Sequence, residues 1–446
     1  MNSFGFKFQA QLLLISAICA ACCFDLAAQS VAQLQRQAEK SLKRGLFADA
    51  AAQLERAGRI KNSDPLLLYR AAEAYNEVRD YLNASNCYQV SKDDQRFPLA
   101  ALFFARALKQ QGRYTEAREA FQKTGEGYRG DHKEVIIQVI ANEVTGCDLA
   151  IRLLEEYDSS AANASIAWLP PPVASGENTF APMPFSDTLL YFSQTSSQGA
   201  ILMRSTRRNG VWRKPEAAAG LPQAASKDFL CGAFSAKGER YYFARSEHPP
   251  LASRGSSVAA SGSTLYVLRR DATGEWGEPE RLRGYINLEE SSNTQPFVCD
   301  FGTEEWLFFA SNRPGGMGGM DLYVCKRPLA ADDLDFSFPL NLGAKVNTGA
   351  DETTPYYDVF SKTLWFSSMG HPGLGGLDIQ HASGEGSNWT NPENAGFSIN
   401  SPADDIYFIL KKDGSGAFFS SNRLVPKEKA STTADNLFEA FFPTRN

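Results

Sequence analysis

SNRPGGMGGMDLY, residues 311–323, is the stretch that governs how the second half of this chain folds. It joins an apolar strand at 306–310 to another beginning at Asp321 through a glycine-rich loop that side chains would crowd. A second copy, SMGHPGLGGLDI at 368–379, places Gly375, Gly376 and Asp378 a constant 57 residues after Gly318, Gly319 and Asp321. A constant offset of that size signals a repeated supersecondary unit.

Outward from these loops, five apolar strand ends align at Phe192, Phe243, Phe309, Phe366 and Phe419, with steps of 51, 66, 57 and 53 residues. Each follows a short turn and precedes a further strand such as Leu265-Tyr266-Val267. A fourth strand per unit is expected at 215–221, 279–286, 339–346 and 392–399. Four short antiparallel strands at this interval make the blades of a β-propeller, here a five-bladed one over 165–446. The fifth unit lacks its own fourth strand. Residues 165–169, SIAWL, are expected to complete that blade and remove the two exposed edges.

The glycine-rich loops and the blade junctions share one face. That face gathers Arg313, Asp321, Asp351, Glu352, Asp378, Asp404 and Asp405, a candidate interaction surface for a cation or a basic peptide. A local reading of the same residues has Asp321 and Asp378 accepting N–H bonds from their own loops, with Arg313 and Arg423 pairing to neighbouring blades. The loop at 246–263 reads as long, either a contact loop or filler.

Upstream, the period is helical. Ala38, Ala72 and Ala105 are separated by 34 and 33 residues, and the same steps link Phe47, Tyr81 and Tyr114, then Ala50, Ala84 and Ala117. Small residues at fixed places let paired helices approach, and Pro65 and Pro98 sit where a helix start tolerates a missing N–H. This pattern resembles the tetratricopeptide repeat, without the consensus tryptophan. It predicts an α-solenoid over 31–157, including a capping helix, then a linker at 158–164. Such a solenoid offers a partner-binding surface or acts as a spacer.

Residues 1–28 read as an export signal, with Lys7 ahead of an apolar run too short to span a bilayer. Cleavage after Ala28 competes with a lipoprotein-like box ending at Cys22, a candidate lipidation site. No later run is long enough to cross a membrane. A formal charge of −6 without a Lys/Arg block argues against nucleic acid as a partner. The five cysteines beyond residue 28 are scattered, as are the four histidines, so neither a disulfide framework nor a metal site is expected, and no cofactor.

The strand register and SNRPGGMGGMDLY make the chain similar to the TolB-like β-propeller repeat family. The order of helical repeats then propeller resembles envelope proteins of Bacteroidota associated with type IX secretion. The resemblance implies a periplasmic protein at the outer membrane with envelope proteins as partners. The OmpA-like domain usual in that arrangement is absent from this sequence, which leaves no expected peptidoglycan contact.

There is no G-x-S-x-G, Asp413-Gly414-Ser415-Gly416 resembles an Asp-box in one unit alone, and the adjacent Asp404 and Asp405 should diverge rather than face a substrate. His371 reads as an exposed turn residue. The expectation is therefore a non-catalytic scaffold of an outer-membrane assembly rather than an enzyme. The alternative is a propeller receptor for a carbohydrate or peptide, favoured if aromatic rings line the propeller mouth.

Overall fold

The computed structural model describes residues 30–156, 165–169, 171–173, 178–196, 199–218, 220–221, 231–246, 262–331 and 335–443. The expected signal with Cys22, the linker at 158–164 and residues 247–261 of the long loop lie outside them. The chain divides into two compact units, Met1–Ala107 and Leu108–Asn446.

The first unit is helical: α1 (30–43), α2 (Phe47–Ile60), α3 (Pro65–Glu77), α4 (Tyr81–Ser91) and most of α5 (Ala100–Lys109). Local chemistry starts two of them. Asp64 accepts from Leu66 N (2.9 Å) and Leu67 N (3.1 Å) with Pro65 at the first helical position, and Asp80 accepts from Asn83 N (3.2 Å). Ala38, Ala50, Ala72 and Ala84 are fully buried where the helices meet, and a Cβ on Gly58 would come within 2.9 Å of Leu68. No helix among the described residues is long and apolar enough to cross a membrane.

The second unit begins with α6 (Tyr114–Gly127) and α7 (Lys133–Glu156) and continues into a five-bladed β-propeller. Each blade is an antiparallel sheet. In blade three, for example, strand Asn293–Phe301 pairs with Glu304–Ser311, and that with Asp321–Pro328. Blade five takes its outermost strand from the start of the ring: Ser165–Trp168 pairs with Asn436–Phe441, from Ser165 opposite Phe441 to Trp168 opposite Phe438.

The fourth strands are shorter than the sequence predicts. Pairing covers two residues each, at Glu216–Ala217, Glu280–Arg281, Leu340–Asn341 and Glu393–Asn394. Beyond them a buried asparagine replaces strand pairing. Asn287 accepts from Leu265 N (2.7 Å) and donates to Leu265 O (2.9 Å). Asn347 does the same at Leu322 and Asn400 at Ile379. The side-chain amide thus takes the N–H that continued pairing would use and shares the carbonyl, which also accepts from Leu282 N (3.1 Å), Leu342 N (3.1 Å) and Ala395 N (3.0 Å) in the three blades.

Between blades the ties are polar. Arg313 donates to Ile286 O (2.6 Å) and Asn293 Oδ1 (2.7 Å), and Arg423 to Ile399 O and Asp405. His371, expected in solvent, is half-buried and meets Val346 O at 2.9 Å, the carbonyl equivalent to Ile286 and Ile399. It takes over the arginine's task in blade four, and burial lowers its pKa. Within blade three Arg327 Nε and Glu305 Oε2 form a wholly buried pair at 2.7 Å, and blade two reaches it through Tyr242 Oη, which donates to the same carboxylate at 2.9 Å. At ring closure, Glu439 holds Arg207 (2.9 Å) and Lys411 (2.6 Å).

Candidate functional site

The expected acidic face is built inward. Asp321, Glu352, Asp378 and Asp405 have no exposed surface, and each carboxylate is engaged close to home. Asp321 accepts from Met317 N (2.6 Å), and Asp351 from Met320 N (2.7 Å). Glu352 accepts from Thr348 N (2.6 Å) and Ser368 Oγ (2.7 Å), Asp378 from Gly375 N (2.9 Å), Asp404 from Leu377 N (3.0 Å) and Asp405 from Ser401 N (2.6 Å). Glycine-rich turns expose N–H groups, and these side chains satisfy them.

The two glycine loops differ in what covers them. The blade-four loop carries α6 and α7: Asn142 Nδ2 donates to Gly370 O (2.6 Å), Leu374 is fully buried against Tyr114 and Ala150, and a Cβ on Gly146 would meet Gly373 O at 2.6 Å. Lys109 and Glu143 form a buried pair at 2.8 Å beside it. At the equivalent place in blade three, Met317 is 46 % exposed.

Burial pushes the Asp378 carboxyl from its ordinary 3.8 up to about 7, against the opposing pull of Lys109. A carboxyl with a folded pKa above its unfolded one holds its proton longer in the fold. Its contribution to stability is full at acid pH and is lost as pH rises from about 4 to about 7. Asp378→Asn is therefore expected to be costly relative to the parent at pH 5 and least costly, or stabilising, at pH 8. Urea midpoints followed by circular dichroism at both values check this, and a cost independent of pH would refute it. Glu352, also pushed to about 7 by burial, keeps its own slope in the same direction.

A cavity of about 700 Å³ lies on the propeller axis, within the range usual for small-molecule sites. It runs along the innermost strands toward the turns joining first and second strands, away from the glycine loops. Its inner end is made by irregularities that recur in four innermost strands, between Phe180 and Met183, Thr294 and Phe297, Thr353 and Tyr356, and Ile406 and Ile409. Each places a non-glycine residue in the left-handed region: Ala181 (φ 52°), Gln295 (54°), Thr354 (50°) and Tyr407 (56°). Conformations that side chains avoid thus recur at one level of the ring, where the four strands leave regular register.

Hydrogen bonds link three of these positions. Thr354 N donates to Gln295 Oε1 (3.1 Å), and Tyr407 N to Thr354 Oγ1 (3.2 Å). Gln295 Nε2 and the Tyr407 hydroxyl are buried and reach no partner at hydrogen-bond geometry; Cys231 and Gln295 are the polar neighbours of that hydroxyl. Aromatic rings form the wall: Phe297 lies edge-on to Tyr356 at 5.0 Å, and Phe408 stacks on Trp365 at 4.2 Å. Toward the mouth stand Lys237, Lys411, Lys412 and the two carboxylates of the lining, Asp300 and Asp358. Asp358 is spent on its own turn, accepting from Phe360 N (3.3 Å) and Ser361 N (3.2 Å). Burial, then the nearby Glu305, raises the pKa of Asp300.

No protein family matches the chain, and no curated protein does. Solved structures do resemble it. A GH62 hydrolase in complex with xylotriose is 10 % identical with a TM-score of 0.40, covering 64 % of this chain and 99 % of its own. The endo-arabinase from Bacteroides thetaiotaomicron is 14 % identical with a TM-score of 0.39, covering 63 % and 99 %. Levansucrase from Bacillus subtilis is 9 % identical with a TM-score of 0.40, covering 65 % and 91 %. Two expectations are corrected by these neighbours, that the chain is a non-catalytic scaffold and that it is not an enzyme: the structures it resembles are enzymes. At such identities the likeness is one of fold.

None of the cavity's inner residues was singled out in the sequence. The available signal was the proline that follows three of the four left-handed positions, Pro182, Pro296 and Pro355.

Proposed function

We propose that the propeller is a carbohydrate-active domain that takes a saccharide into its axial cavity. The observation that carries this reading is the combination of aromatic walls with unpartnered donors at the inner end. Sugars present apolar C–H faces and a rim of hydroxyls, so they are held by rings along the wall and by fixed polar groups at the end. Asp300 is the lining carboxyl left for proton transfer, because Asp358 is committed to its turn and the pKa of Asp300 is already raised. For the N-terminal helices we propose tetratricopeptide-like units, supported by the 33- and 34-residue spacing of Ala38, Ala72 and Ala105, all fully buried.

The test is calorimetric titration of the full chain with neutral xylo-, arabino-, gluco- and N-acetylglucosamine oligosaccharides, with a reducing-end assay on the same panel. Binding of at least one is expected, weakened about tenfold or more by Tyr356→Ala, which removes a wall ring. If turnover accompanies binding, Asp300→Asn should abolish it while leaving affinity in place. No binding by any member of the panel at millimolar concentration would sink the proposal.

A further inference from the structure

The inner end of the cavity is selective about what it can hold. Gln295 lines the cavity and is 2 % exposed, and its Oε1 is taken by Thr354 N, so the amide cannot turn over without losing that bond, and Nε2 is the end left without a partner. The Tyr407 hydroxyl is the second donor without a partner. Its backbone N–H is tied to Thr354 Oγ1, and Thr354 Oγ1 in turn lies 2.8 Å from Ser367 Oγ. One chain of hydrogen bonds across three innermost strands therefore fixes the Gln295 amide and the backbone that carries Tyr407 before any ligand arrives. Left unfilled, each costs the desolvation of a buried polar group.

Two donors of neutral type call for an oxygen that accepts twice. A carboxylate is disfavoured, because Lys237, Lys411 and Lys412 stand at the turns and no cation is among the residues of the inner end, so the charge would be buried unpaired. A hydroxyl accepts, but brings a proton that needs an acceptor, and beside the Tyr407 hydroxyl stands the Cys231 thiol, a weak acceptor that itself lies 3.8 Å from Thr294 Oγ1. A carbonyl oxygen needs only donors. The rest of the inner end is small and apolar: Ala181, Cys231, Ala233 and Val298 belong to one buried cluster and all line the cavity. A methyl group fits that chemistry.

Resting on the saccharide reading, we infer that the inner end is a subsite for the acetamido group of an N-acetylated amino sugar, with Gln295 Nε2 and the Tyr407 hydroxyl donating to its carbonyl oxygen and the alanines receiving its methyl. These two residues determine specificity. They need not touch the glycosidic bond.

The experiment is titration of the full chain with N-acetylglucosamine, glucosamine, glucose and glucuronate, repeated with Tyr407→Phe. That substitution removes one hydroxyl that makes no bond in the fold, and thermal melting confirms that the variant stays folded. N-acetylglucosamine is expected to bind about tenfold or more tighter than the other three, and Tyr407→Phe to erase most of that preference. Equal affinity for glucose and N-acetylglucosamine, tighter glucuronate, or a Tyr407→Phe preference equal to the parent's would overturn the acetamido subsite and leave the saccharide reading standing. Failure of all four monosaccharides and of the oligosaccharide panel would remove both.

Discussion

Arg327→Met is expected to destabilise the propeller transition by about 3–5 kcal/mol, read as a lower urea midpoint at unchanged slope. Neither Arg327 nor Glu305 has exposed side-chain surface, and the guanidinium also donates to Ala331 O at 2.9 Å. Removing the cation leaves the Glu305 carboxylate in the interior with Tyr242 Oη and a more distant Arg240 (3.5 Å) as its remaining support. The cost is that of an orphaned charge rather than of a lost attraction. The double variant Arg327→Met/Glu305→Leu should recover most of the loss, because the buried charge goes with its partner and the Tyr242 hydroxyl is a neutral group to leave without its acceptor. A single variant as stable as the parent would show the pair to be idle.

Gly375→Ala is expected to cost at least about 2 kcal/mol, through crowding and not through backbone preference. A Cβ at Gly375 would run into the carbonyl oxygens of Ala403 and Pro402, and backbone cannot step aside as a flexible side chain does. Its counterpart Gly318, 57 residues earlier, faces the backbone of Gly349 in the same way, and Gly318→Ala should lose a similar amount. Gly315 supplies the contrast. It has φ +86° with open space around it, so Gly315→Ala meets conformational strain alone, about 1 kcal/mol. Thermal melts of the three variants separate the two causes, and equal losses at all three sites would refute the crowding argument.

The blades were legible because strands at a repeated interval leave a strong pattern of aromatic ends at Phe192, Phe243, Phe309, Phe366 and Phe419. What shortened the fourth strands was legible too, in retrospect: Asn287, Asn347 and Asn400 each follow Ile or Val at the end of the expected segment. A side chain that bonds one backbone position twice looks, in sequence, like any polar residue in a loop. The carboxylates of the glycine-loop face were found in the right places, but a sequence shows charge without showing which N–H groups absorb it. The cavity was the least legible part. Ala181, Gln295, Thr354 and Tyr407 share a backbone conformation and no side-chain chemistry, so nothing in their residue types announces that they meet. Likewise, the coverage of one glycine loop by α6 and α7 turns on Leu374 standing where the other loop has Met317, a difference too slight to read unaided.

The pairing of Ser165–Trp168 with Asn436–Phe441 has a consequence for how the molecule comes into being. On the ribosome, the strand that opens the ring must wait for almost the whole domain to be made before its partner emerges. Until then the ring carries two open edges, each able to recruit a stray strand. The contact spans some 270 residues, and such long-range closure is slow because chain entropy is spent before the contact repays it. Completion of this domain is thus a late event in synthesis, and the interval before it is when a chaperone has most to protect.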